Sequence, residues 1–295
     1  MRNRRLIYLL VLMSTAAFGH AGEPLEPQDL WQAWSFDPGI VIPLALTAIL
    51  YARGARSSRG VSTRQFACFW TGWMFLVVSL ISPLHELGEA LFSAHMAQHE
   101  ILMLAAAPLL VLSLPLVQML WGLPMRTRKG LGQWSKRGAV QGTWRFLTRP
   151  MTAWWIHAVA LWLWHAPHLF QATLENEWVH SAQHLSFFGS ALLFWWSLFY
   201  AHGRASYGAS FLYVFTTAIH TSILGALLTF GRTVWYPGYE LTTKAWGLKP
   251  LEDQQIGGLI MWIPAGLVYL FAGLALFALW LRESDVVASR GEYAR

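Results

Sequence analysis

The sequence predicts an all-α, polytopic membrane protein, a seven-transmembrane-helix bundle after an N-terminal signal peptide. Three observations carry that prediction. Of 295 residues, 55% are hydrophobic and 12% charged, and the mean hydropathy is +0.39, outside the balance of a soluble domain. Apolar segments recur at about the length a helix needs to cross hydrocarbon, roughly 20 residues. Basic residues collect in alternate loops, the signature of a chain threaded through a membrane with its positive loops inside.

Arg2, Arg4 and Arg5 precede apolar residues 6–18, and the small residues Gly19 and Ala21 follow. Residues 1–21 therefore read as a signal peptide, or as an uncleaved N-terminal anchor, the run being short for a span. Residues 22–37 form an outer N-terminal segment. The spans fall at 38–53, 66–82, 95–120, 151–170, 180–201, 209–230 and 257–281, giving a transmembrane domain over 38–281 and a cytoplasmic tail over 282–295. A second folded domain has no room.

With the N-terminus outside, the inner loops hold Arg53, Arg56, Arg59 and Arg64, then Arg126, Arg128, Lys129, Lys136, Arg137, Arg145 and Arg149, then Arg204, and the tail holds Arg282, Arg290 and Arg295. The outer loops hold Arg232, Lys244 and Lys249 beside most of the acids. This partition accounts for the net charge of +6 and the pI near 9.7. The partner it implies is the lipid bilayer, not nucleic acid. The basic 126–149 loop carries Leu131, Trp134, Trp144 and Phe146, and reads either as an interfacial helix on the anionic inner leaflet or as a solvated orientation signal. Between the second and third spans, Leu84, Leu87, Gly88, Leu91 and Phe92 recur at helical spacing after Pro83, which predicts a short helix on the outer surface.

The single cysteine, Cys68, excludes a disulfide framework and any CxxC metal motif. The chain has no GxSxG, HExxH, GxGxxG or Walker-type loop, so the sequence offers nothing toward nucleophilic, phosphoryl-transfer or dinucleotide chemistry. Histidine carries the chemical signal instead. His95/His99, His165/His168 and His180/His184 fall at the predicted outer ends of three spans, and a spacing of four puts two of these pairs on one helical face each. Imidazoles gathered at one depth suit copper, zinc or haem iron. Met103 continues the His95/His99 stripe as a further candidate ligand, Glu100 is a candidate acceptor for an imidazole N–H, and the deeper His157 and His220 are candidates for an inward relay. His20, His85 and His202 are left outside the site. The dense tryptophans and tyrosines are those of an aromatic belt.

The stretch His95-Met96-Ala97-Gln98-His99, with Leu102-Met103-Leu104 and Ala107-Pro108-Leu109-Leu110 after it, resembles the CtaG family of cytochrome c oxidase assembly factors, the seven-span type associated with caa3 oxidases. Trp164-His165-Ala166-Pro167, then His180 and His184 before Leu193-Phe194-Trp195-Trp196, and Asp253-Gln254-Gln255 ahead of Gly257-Gly258-Leu259-Ile260-Met261-Trp262-Ile263-Pro264 extend the resemblance to about two-thirds of the chain. It implies a bacterial plasma-membrane protein, not an enzyme, that supports maturation of a haem-copper oxidase. Its expected partners are oxidase subunits or other assembly factors. Histidines at positions matching 95, 99, 165, 180 and 184 recur in the family's pattern, whereas position 168 varies. The expected site is therefore His95, His99, His165, His180 and His184 holding copper at the outer face, with His168 in a secondary place and Asp253 and Gln254 gating or orienting it from above. Two rivals come from other classes: a b-type haem electron-transfer protein and a membrane-embedded zinc hydrolase with Glu100 or Asp253 as base.

Overall fold

The structure is a computed structural model that describes residues 25–57, 60–201 and 207–292. The predicted signal peptide lies outside these residues, as do Arg59, Arg204 and Arg295. Among the described residues the regular structure is helical, with no strand. In chain order the helices are α1 (Pro38–Ser57), α2 (Thr63–Leu80), α3 (Pro83–Ala90), α4 (Phe92–Ser113), α5 (Pro115–Gly122), α6 (Met125–Ser135), α7 (Gly138–Leu147), α8 (Pro150–Trp164), α9 (Pro167–Glu175), α10 (Glu177–Trp196), α11 (Tyr207–Thr229) and α12 (Pro250–Glu292).

Local chemistry sets most of these boundaries. Six helices open on proline, at residues 38, 83, 115, 150, 167 and 250, where its missing N–H forfeits no intrahelical bond. Ser62 and Gln65 form a reciprocal capping box at the start of α2, each bond 3.2 Å long. Asn176 caps α10 by accepting from the backbone of Trp178 at 2.9 Å and Val179 at 3.2 Å. The short helix expected after Pro83 is α3, bent 43° from α2.

Two predicted spans, the third and the fourth, differ from the structure. The third predicted span, 95–120, is two helices: Leu114 adopts a left-handed conformation, φ 49° and ψ 53°, because Pro115 bars it from continuing the helix. Over the predicted tail, α12 continues as far as Glu292, the last described residue. Within α4, residues Ile101–Ala106 form a π turn. Pro108 explains it, since a proline ring clashes with the carbonyl four residues back and a wider turn relieves the clash.

Four helices are long and apolar enough to cross a membrane, Pro38–Ser57, Phe92–Ser113, Tyr207–Thr229 and Pro250–Arg282, and the bent pair α2–α3 makes a fifth. That supports a polytopic membrane protein and does not by itself establish the count of seven. The fourth predicted span ends early, because α8 has 15 residues before the break that precedes Pro167. The fifth, α10, is diluted by His180, Gln183 and His184, all buried inward.

The packing is that of a bundle in an apolar solvent. Leu185, Phe230 and Phe271 are largely exposed, while His95, Gln98, Gln183, Thr217 and Asp253 are fully buried. Helices approach closely where glycine permits: a Cβ on Gly54 of α1 would lie 1.7 Å from the Gln118 carbonyl oxygen of α5, and one on Gly122 of α5 would lie 2.2 Å from that of Leu50. Near one end of the bundle, Phe92, Met96, Phe170, Tyr236, Tyr239 and Met261 form an apolar cluster. The predicted histidine site adjoins it.

Candidate metal centre

Two helix starts aim the histidines. Leu91 is extended, φ −131° and ψ 128°, so α4 begins afresh at Phe92, and its first free N–H groups meet the carboxylate of Asp253 on α12. Phe92 N–H donates at 2.6 Å and Ser93 N–H at 3.1 Å, and the Ser93 hydroxyl donates as well. One turn later His95 and His99 project inward on the same face. On α10, which Asn176 caps, His180, Gln183 and His184 project toward them.

The imidazoles converge. His95, His180 and His184 each offer a nitrogen, and these atoms all lie within 4.8 Å of one another. Ring centroids are 4.4 Å apart for His180 and His184, 5.1 Å for His95 and His180, and 5.8 Å for His95 and His184. His99 lies 4.4 Å from His95 and 5.0 Å from His184, closed off on one side by Phe187 at 4.6 Å.

Polar partners hold the ring of His95 at both nitrogens. Its Nδ1 lies 3.3 Å from the Gly88 carbonyl oxygen and 3.2 Å from the Tyr239 hydroxyl, and that hydroxyl donates to the same carbonyl at 2.9 Å. Nε2 faces the Gln183 side-chain oxygen at 3.1 Å. Burial, with Asp253 and Glu89 nearby, holds the Tyr239 phenol well above its ordinary range, so it remains a donor. At His165, Nδ1–H donates to the Leu161 carbonyl at 2.7 Å, and Nε2 is buried without a partner. A carbonyl on Nδ1 that leaves Nε2 free is the usual way a ligating imidazole is oriented.

The other predicted residues fall in different places. His165 packs on Phe170 and Phe187, which also contact His95 and His99, and lies outside the three-nitrogen group. His168 is exposed on α9, because the break at Pro167 turns it away, so it is removed from the site. Met103 is packed in the apolar core with Phe187, Phe194 and Trp195, and its carbonyl, released by the π turn, accepts from the Trp195 indole at 2.8 Å. Glu100 has a buried carboxyl oxygen without a partner and bonds no imidazole among the described residues; backbone carbonyls take the role expected of it. Asp253, expected to gate or orient the site, caps the helix that bears two of the histidines. Gln254 holds the 231–249 loop, accepting from Trp235 N–H at 2.7 Å and donating to Thr233 at 3.2 Å. His157 bonds Ser190 at 3.0 Å, and His220 lies against Trp154 at 5.3 Å with both ring nitrogens unpartnered.

Four contributors went unread in the sequence. His85 on α3 stacks on His180, centroids 5.6 Å apart, and lies 6.1 Å from His184. The Gln98 amide donates to Ser79 O at 2.6 Å and to His85 Nδ1 at 3.0 Å, which puts the His85 proton on Nε2. His85 is therefore a cover over the cluster rather than a ligand in this arrangement. Gln98 and Gln183 sit three residues after His95 and His180, a spacing that places them on the histidine faces. Nothing local announces Tyr239.

Chemically, the site is a set of buried, unpartnered imidazole nitrogens. Both nitrogens of His99 and the Nε2 atoms of His165, His180 and His184 have no hydrogen-bond partner. Each such orphan costs about 1–3 kcal/mol, and a borderline metal ion that accepts imidazole nitrogen would relieve several at once.

No solved structure matches the chain. An uncharacterized protein of Mycobacterium bovis, Mb0105, is 28% identical over 268 residues, covering 87% of this chain and 40% of its own length, and MT0111 of Mycobacterium tuberculosis matches to the same extent. ML1998 of Mycobacterium leprae is 26% identical over 284 residues, 91% of this chain and 42% of its own. The chain thus spans about two-fifths of the length of these relatives. The family described as cytochrome c oxidase caa3 assembly factor, Caa3_CtaG, matches residues 49–283. Because that match takes in α2 to α11 and the membrane-crossing length of α12, with every histidine of the cluster, the chain belongs to the CtaG family of caa3-type cytochrome c oxidase assembly factors.

Proposed function

We propose that this protein handles copper as cargo for a haem-copper oxidase under assembly, binding it through His95, His180 and His184 at the outer face of the plasma membrane. One observation carries the reading: the three imidazole nitrogens lie within 4.8 Å of one another, in a shell without carboxylate or thiolate. His99, adjoining two of them with both nitrogens free, supplies a further ligand. With the N-terminus outside and the C-terminus cytoplasmic, as the loop charges indicate, copper reaches the site without crossing the bilayer. Half-buried His85 forms its outermost layer.

The rivals fit less well. A b-type haem needs a flat slot for the macrocycle between axial imidazoles, but here His99, Phe170 and Phe187 crowd the rings. A zinc hydrolase needs a base beside the metal-bound water. Asp253 is committed to Phe92 and Ser93, and Glu100 does not touch the cluster. Our reading is therefore of a carrier rather than an enzyme.

The deciding experiment is elemental analysis and an absorption spectrum of the purified chain, followed by titration with Cu(I) against a competing chelator. The expected result is copper uptake that disappears in the His95→Ala/His184→Ala variant, with no Soret band. Stoichiometric zinc, or bound haem, without copper uptake overturns the reading.

A further inference from the structure

The helical hairpin α6–α7 has the wrong surface for either water or the protein core. Neither helix has a buried residue, yet Met125, Leu131, Trp134, Trp144 and Phe146 lie exposed along them. Seven cations stand between Arg126 and Arg149, and no acid occurs anywhere between Glu100 and Glu175. Among the described residues the only ion pair is Lys249–Glu252, in another part of the chain. Among the described residues, these seven positive charges therefore have no acidic partner.

The hairpin also has a fixed position. It connects α5 to α8, and Trp144 contacts Trp196 near the end of α10, centroids 5.3 Å apart, so it lies where the helical bundle ends. The Arg128 guanidinium rests over the Trp121 ring at 4.0 Å, a pairing suited to the boundary between hydrocarbon and headgroups. Beside it a cleft of about 600 Å³ is lined by Gly142, Arg145, Thr148, Arg149 and Pro150. Arg145 and Arg149 line it, and guanidinium is complementary to phosphate.

We propose that the α6–α7 hairpin docks on anionic phospholipid, its aromatic side chains reaching the acyl boundary and the Arg145–Arg149 cleft taking a headgroup phosphate. Cations without an acidic partner among the described residues, interleaved with exposed aromatics, match a negatively charged membrane surface. This inference is independent of the copper reading.

The test uses the full chain in nanodiscs of phosphatidylcholine alone, or with about one lipid in three replaced by phosphatidylglycerol. Amide exchange over residues 125–149 is followed by mass spectrometry. Exchange about tenfold slower in the anionic discs is expected, with the difference lost in R145E/R149E. Lys244→Glu, the same charge reversal in the 231–249 loop, is expected to keep it, and Tm verifies that each variant is folded. Should the double variant not fold, Gly142→Trp replaces it, since a side chain added at Gly142 meets nothing within 4 Å and fills the cleft. Equal exchange in the two lipid compositions overturns the proposal. So does protection by inorganic phosphate in the phosphatidylcholine discs, or full protection retained in the folded cleft variant.

Discussion

The carboxylate of Asp253 accepts the backbone N–H of Phe92 at 2.6 Å, joining residues 161 positions apart in the chain. It completes the first turn of α4 with a charge from α12, and so fixes where His95 and His99 begin their descent. A carboxylate suits that place twice over, as acceptor for free N–H groups and as a negative charge at the positive end of the helix dipole.

Asp253→Asn keeps the shape and removes the charge. We expect a loss of about 1–2 kcal/mol of stability, read as a lower Tm, with copper binding weakened only through the shifted start of α4. Loss of copper binding with Tm unchanged would instead put Asp253 at the metal.

The cluster separates from its neighbour on α9 by substitution. His184→Ala removes one of three converging nitrogens and is expected to lower copper affinity at least about a hundredfold, whereas exposed His168→Ala leaves it unchanged. Binding to the folded state alone also raises stability, by about 2.7 kcal/mol when free copper is a hundred times Kd. Copper should thus raise Tm for wild type and His168→Ala but not for His184→Ala, and equal Tm shifts in all three would count against the site.

Gln183 and Tyr239 act on His95 through hydrogen bonds. Gln183→Leu and Tyr239→Phe should each weaken copper binding about 10- to 100-fold, the range seen when partners of ligating histidines are removed. Because burial raises the Tyr239 phenol well above its ordinary value, it stays protonated below that raised value. The loss in Tyr239→Phe is therefore expected to be the same at neutral and at mildly alkaline pH. An effect that fades as pH rises would mean the phenol ionises and does not serve as a lasting donor.

Much of the site was readable because helices translate spacing into direction. The i, i+4 pairs His95/His99 and His180/His184 must share a face, and Pro167 had to interrupt the helix beyond His165. The same rule is silent about partners from elsewhere in the chain. His85 looked like a loop residue because the 43° bend at α2–α3, which carries it over His180, arises from packing. Tyr239 reaches Gly88 from 151 residues away, and no local pattern encodes that contact.

Composition and periodicity by themselves determined the solvent and the helical class, since apolar segments of span length and a one-sided charge pattern leave few ways to fold in a bilayer; the family came from the resemblance of the histidine motifs. Tertiary structure alone decided which polar atoms meet. It left His168 exposed, brought His85 and Gln183 to the cluster, and gave Asp253, expected to gate or orient the site, the place of a helix cap. The reason is geometric: local sequence sets the face of each helix, but the distance between faces is set by packing contacts such as Gly54 against Gln118 and Gly257 against Phe92.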